Sequence, residues 1–249
     1  MLEIGSFAYI NSRLTALEVE LYSAKTKKDA YYILYSRLSN LVDFFPDKIR
    51  PFIEWWIIRI DFENIKDVSA QIFGDIYYSF SRPFIKLKKE VLLNAARNKD
   101  LSGLLDVLSN NFENFKKDDF EGLKNYSEFA FGLDNFYFKS FEDRLPNEPD
   151  TELAKKLVAT KVDLLNLNLV DRVKDKKKFF LPYGLLTIED IKEKKKLSES
   201  LFEIYGVSNK EDLKSYYYNL CKSYDTNFAS VMDFIVSHEY LIEEGGYKK

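Results

Sequence analysis

An all-α chain is what this sequence predicts, and three observations predict it. Turn-forming residues are scarce, with 9 glycines and 6 prolines among 249 residues, which favours few, long elements over many short strands. Apolar residues recur at helical spacing nearly everywhere, and no run alternates apolar and polar residues as a half-buried strand does. Hydrophobic residues make up 46% of the chain, enough at this length for a sizeable core.

Taken in order, Leu14, Leu17 and Leu21 mark an N-terminal helix. A second runs from about Asp29 to Phe45 and carries Tyr31, Leu34, Leu38 and Leu41, with Pro46 separating it from the next. Ile49, Ile53, Trp56, Ile60 and Ile65 paint one apolar stripe on a third helix, and Val158, Val162, Leu165 and Leu169 do the same later. The polar stretch Asp143 to Thr151, with two prolines, reads as a linker. Thr187 to Asp190 and Ser208 to Glu211 read as capping boxes, in which a hydroxyl accepts from an orphan amide and an acid reaches back.

Composition excludes several functions. A formal net charge of −3 gives no case for nucleic acid, which calls for a clustered basic excess. The lysine runs at Lys25 to Lys28, Lys174 to Lys178 and Lys192 to Lys196 are interrupted or flanked by acids or polar residues and read as solvated faces; docking on an acidic partner is the other reading. Cys221 is the only cysteine, so no internal disulfide forms, which fits a reducing compartment. The N-terminal stretch lacks the basic start and continuous apolar core of a signal peptide. The most hydrophobic stretch, Phe52 to Ile60, contains Glu54 and Arg59 and falls far short of a membrane span. Membrane association is therefore expected through partners only.

Residues that carry chemistry are thin. His238 is the only histidine, so histidine-cluster metal sites are out, and Ser237-His238-Glu239 makes no triad because neighbours on a helix face apart. Cys221 follows Tyr216-Tyr217-Tyr218 and reads as a buried structural thiol. The chain has no G-x-x-x-x-G-K-[ST] loop and should neither bind nor hydrolyse ATP. We expect no catalytic residue, cofactor or metal. The aromatic stripe Trp55, Trp56, Phe62, Phe73, Tyr77, Tyr78 and Phe80 reads as core, with an exposed minority that anchors a partner as the other reading.

One feature repeats. Trp56 to Ile65 and Val158 to Leu167 share an apolar start, a base two before an acid, then Asp-x-x-Asn followed by Ile or Leu. Asp61 with Asn64, and Asp163 with Asn166, each lie on one helix edge beside the apolar stripe. A buried carboxylate there needs hydrogen bonds, so each pair is expected to hold the end of a neighbouring helix or a loop. The pattern alone leaves duplication and chance coincidence equally open.

These residues, taken in order along the chain, resemble the C-subunit family of V/A-type ATP synthases, to which the d subunit of the vacuolar ATPase belongs. Tyr9 to Leu14 is similar to its opening helix, Leu133 to Phe138 to the segment before its second unit's helix, and Phe180 to Gly184 to its proline-glycine loop. The resemblance implies three related helical units with pseudo-threefold arrangement, placed at approximately 1–125, 126–200 and a shortened 201–249. The third would offer Glu239 in place of the aspartate and Ile242 in place of the asparagine. It also implies a non-catalytic rotor part, cytoplasmic and peripheral on the cytoplasmic face of a membrane. Such a part couples the D and F subunits of the central stalk to the proteolipid ring and transmits torque for H+ or Na+ transport. An unrelated all-helical scaffold or regulatory interaction module fits the composition and periodicity equally well.

Overall fold

The computed structural model describes residues 2–74, 82–170, 175 and 177–246. Tyr77, Tyr78, Phe80, Lys174 and Lys176 lie outside them. Among the described residues the chain is all-α, with no strand. The helices are α1 (Leu2–Tyr22), α2 (Lys27–Ser39), α3 (Arg50–Phe73), α4 (Lys89–Arg97), α5 (Leu101–Asn111) and α6 (Tyr126–Lys139). They continue with α7 (Thr151–Val170), α8 (Ile188–Lys192), α9 (Lys194–Tyr205), α10 (Lys210–Asn219) and α11 (Asn227–Glu243). No helix is long and apolar enough to cross a membrane.

A longer pattern than Asp-x-x-Asn recurs in this order. Three times among the described residues, a capped helix runs into a short 3₁₀ helix and then into a second helix. The sets are α2, Val42–Phe44 and α3; α6, Glu142–Arg144 and α7; α10, Leu220–Ser223 and α11. The opening caps match in detail. Thr26, Asn125 and Asn209 each accept from the amide three residues on, of Asp29, Glu128 and Asp212, at 3.0 Å in each case. Each cap satisfies an orphan donor, and the acid it engages sits where the helix dipole favours negative charge. The cap expected at Ser208 thus falls at Asn209 instead, because an asparagine carbonyl reaches the Asp212 amide directly. In the first two sets a proline follows the 3₁₀ helix. It forces the preceding residue extended: Phe45 (φ −70, ψ 140) before Pro46, and Leu145 (φ −62, ψ 138) before Pro146. The helix expected to reach Phe45 stops at Ser39, and the separate 3₁₀ helix Val42–Phe44 follows before Pro46.

The chain parts into two compact units, residues 1–140 with 242–249, and residues 141–241. In the first, α3 is the central helix, packed by α2, α4 and α6. It buries Phe52, Ile53, Trp55, Trp56, Ile57, Ile60, Phe62 and Ile65. Aromatics dominate this core. Trp55 stacks on Tyr137 at 5.8 Å and donates Nε1–H to the Tyr137 carbonyl at 2.9 Å, while Phe62 and Phe112 meet at 4.9 Å. Paired rings with their polar handles satisfied hold neighbouring helices at fixed spacing. Phe73, at the end of the expected stripe, is half-buried against Phe129.

α6 also anchors to α3 by charge. The Lys66 ammonium sits 3.0 Å from Glu63 Oε1 and 2.5 Å from Asp134 Oδ1. Burial opposes that charge, but the two carboxylates outweigh it and hold the lysine protonated. In the second unit α7 is packed by α10, where the Lys161 ammonium lies 5.3 Å from the Tyr217 ring. The opening helix of the second and third sets therefore packs on the long helix of the set before it.

Candidate functional site

The Asp-x-x-Asn pairs are the most conspicuous polar groups in either core. Asp61, Asn64, Asp163 and Asn166 are each at most 1% exposed. A helical stripe three to four residues wide carries both members of a pair inward, since i and i+3 share an edge.

On α3, Asp61 takes the backbone of the segment that leads into α4. Oδ1 accepts from the Ile85 amide at 2.9 Å; Oδ2 accepts from Lys86 at 2.6 Å and Leu87 at 3.1 Å. Asn64 donates Nδ2–H to the Pro83 carbonyl at 2.8 Å. Burial raises the Asp61 pKa above the usual carboxylate value, against the pull of those three amides.

On α7, Asp163 takes the segment that leads into α8. Leu185 donates at 2.9 Å and Leu186 at 3.2 Å. Tyr205, at the end of α9, adds its hydroxyl at 2.5 Å. Asn166 grips a single residue twice, donating to the Leu181 carbonyl and accepting from the Leu181 amide, both at 2.9 Å. Burial pushes the Asp163 carboxyl up to about 6, with the Tyr205 hydroxyl and the two amides opposing and the charge of Asp190 adding to the rise. Burial and the adjoining carboxylate likewise push the Tyr205 hydroxyl well above its ordinary value.

The two corners share one plan: an acid on a long buried helix gathers the amides of a proline-containing segment just ahead of the next short helix. Besides the Tyr205 hydroxyl on Asp163, they differ at two further points. Pro83 has no N–H, so the Asn64 Oδ1 that corresponds to the satisfied Asn166 Oδ1 is buried without a hydrogen bond among the described residues. In the second corner Gly184 lies against the acid so closely that a Cβ there would stand 1.9 Å from Asp163 Oδ1.

All four acid and amide residues stand out in the sequence, but their partners do not. Tyr205, Gly184 and the amides of 85–87 and 185–186 were not expected from it. Nor were the recurring Thr26, Asn125 and Asn209 caps with an acid three residues on, although that pattern is readable in the sequence. Thr187 does form its capping box with Asp190. The acid of the third set, Glu239, is also buried, at 1% exposure.

Chemically, neither corner resembles a reaction centre. Both carboxylates are engaged by in-chain donors, and no group of His, Cys, Asp and Glu fit to hold a metal occurs among the described residues. His238 is buried, its ring 4.0 Å from that of Phe234 and its Nδ1 2.7 Å from the Phe234 carbonyl, as a packed side chain. Cys221 is buried, and its thiol is pushed up to about 12, which keeps it inert.

No curated protein matches the chain. The profile of the ATP synthase (C/AC39) subunit family matches residues 16–240, a span that takes in both corners and the start of all three helix sets. The chain therefore belongs to the ATP synthase (C/AC39) subunit family, as an accessory subunit of a V/A-type ATP synthase.

Proposed function

We propose that the chain is a non-catalytic rotor adaptor, which couples the central stalk to the membrane proteolipid ring and passes torque between them during H+ or Na+ transport. The observation that carries this reading is the family match over 16–240. The threefold recurrence of the capped helix, 3₁₀ helix and second helix supports it. The helix sets are proposed to surround a pseudo-threefold axis as units of about 1–125, 126–200 and 201–249, forming a socket for the D and F subunits of the stalk. The adaptor then sits on the cytoplasmic face, held there by its partners.

The proposed mechanism is mechanical. A coupling part must transmit force without yielding, and close-packed helices suit this because dense interiors resist deformation. Asp61 and Asp163 each tie the start of a following helix to a long helix through several hydrogen bonds to one carboxylate. Charge-assisted bonds of this kind are about twice as strong as neutral ones. Their part is to keep adjoining helices in register under load.

Co-purification with the stalk and ring subunits tests the assignment. Recovery with both, and no ATP turnover by the isolated chain, is the expected result. Recovery with neither abandons the rotor reading.

A further inference from the structure

α1 lies before the first helix set and packs along α2. Its buried residues Ile10, Leu14, Leu17 and Leu21 form one seam, and Leu34, Leu38 and Leu41 answer from α2. Beside this seam runs a groove of about 380 Å³, floored by Leu17 and Leu41 and edged by Arg13, Arg37 and Asn40.

Both arginines are held by one nitrogen and present the rest. Arg13 Nε donates to the Tyr9 hydroxyl at 3.0 Å, with its guanidinium 5.1 Å from the Tyr9 ring centroid. Arg37 Nε pairs with Glu20 at 2.9 Å. Among the described residues no carboxylate lies on Arg13, and neither guanidinium has a partner at its terminal nitrogens. Arg37 is thus paired with one acid and Arg13 with none among the described residues. Next to them Tyr9 and Phe44 form a ring pair 4.8 Å apart, 37% and 46% exposed.

We infer that the α1–α2 groove is a docking site for an acidic helix of a partner protein in the assembly, which sets carboxylates on Arg13 and Arg37. This rests on the rotor reading, which supplies the partners. Charge complementarity chooses the occupant. A guanidinium fork donates two parallel bonds to a carboxylate, and each arginine here keeps its terminal nitrogens for that. Acids repeated along one face of a helix can meet both forks. A third helix also covers the apolar floor between α1 and α2, as ridges fill grooves in helix packing. Exposed tyrosine and phenylalanine beside arginine is the composition of a protein interface. A free phosphate would meet the forks and leave that floor bare.

The test uses the chain assembled with the stalk and ring subunits. A photoreactive benzoylphenylalanine is placed at Ala16, in the groove, and the irradiated complex is digested. The expected product joins Ala16 to a partner peptide with at least two acids on one helix face. Arg13→Glu with Arg37→Glu should lower retention in the complex about tenfold or more while leaving the thermal midpoint unmoved. Lysine at the cross-linked acids should restore it. Arg13→Lys with Arg37→Lys should also weaken retention, since charge survives but the fork does not. Cross-links only to lipid, only within this chain, or to a peptide without acids overturn the inference. So does a charge-reversed chain that assembles as well as the wild type. A wild-type chain that fails to assemble sinks the rotor reading and this inference together.

Discussion

Replacing Asp61 with alanine strands three backbone amides at once, those of Ile85, Lys86 and Leu87. A neutral hydrogen bond contributes about 1 kcal/mol net and one to a charged group about 1.5–3 kcal/mol, so three lost bonds amount to about 3 kcal/mol or more. Two effects reduce the figure. The Ile85 and Lys86 bonds are only part-buried, so water can replace the carboxylate there. Removing Asp61 also relieves the desolvation of a buried charge, which raises its pKa in the folded chain. The expected cost is about 1–3 kcal/mol, and Asp163→Ala should fall in the same range. Urea denaturation of each variant gives the stability. Hydrogen exchange gives the location, because protection should fall first at Ile85, Lys86 and Leu87. Unmoved midpoints in both variants, with those amides still protected, would show that the corners do not hold the helices.

Three further outcomes follow from the same geometry. Gly184→Ala puts a Cβ 1.9 Å from Asp163 Oδ1 and should push the carboxylate off its amides, at about 2 kcal/mol or more. Gly74→Ala, whose new Cβ would meet only the Ala70 carbonyl at 3.5 Å, should be far milder in the same melts. Asp163 has its pKa raised from 3.8 to about 6, so the folded chain holds that proton more firmly than the unfolded one. The associated stability is present in full below about pH 3.8 and is lost as pH rises through about 6. The loss is about 3 kcal/mol for a two-unit shift. Urea titrations of wild type and Asp163→Asn between pH 4 and 7 should diverge over that window, and parallel profiles would refute the shift. Pro83→Leu restores an N–H for the Asn64 Oδ1, which has no hydrogen bond among the described residues, but frees the unfolded chain, so its own effect should be within about 1 kcal/mol. Asn64→Ala should then cost more in the Pro83→Leu background than in wild type, by a double-mutant cycle.

The sequence by itself determined the helical class, the apolar faces of α1, α2 and α3, the Asp-x-x-Asn edges and the Thr187 cap; on α7 only Val158 and Val162 of the expected stripe are buried, Leu165 and Leu169 being half-buried. The features it determined all depend on residues within about four positions of one another, where spacing alone decides which side chains meet. It also held an unread signal, the cap-x-x-acid pattern of Thr26, Asn125 and Asn209, which outlines three helix sets more plainly than the aspartates do. Only the tertiary structure decided what the acids bind. The amides of Ile85 to Leu87 come from a segment over twenty residues past Asp61, and Tyr205 comes from α9, two helices past Asp163. It also decided that α6, which opens the second helix set, packs on α3 of the first. Such partners are chosen when distant segments close on one another, and closure depends on the whole core rather than on any local run of residues. That is why the acids could be found from their spacing, while Gly184 beside Asp163 and the missing N–H of Pro83 beside Asn64 came to light only in three dimensions.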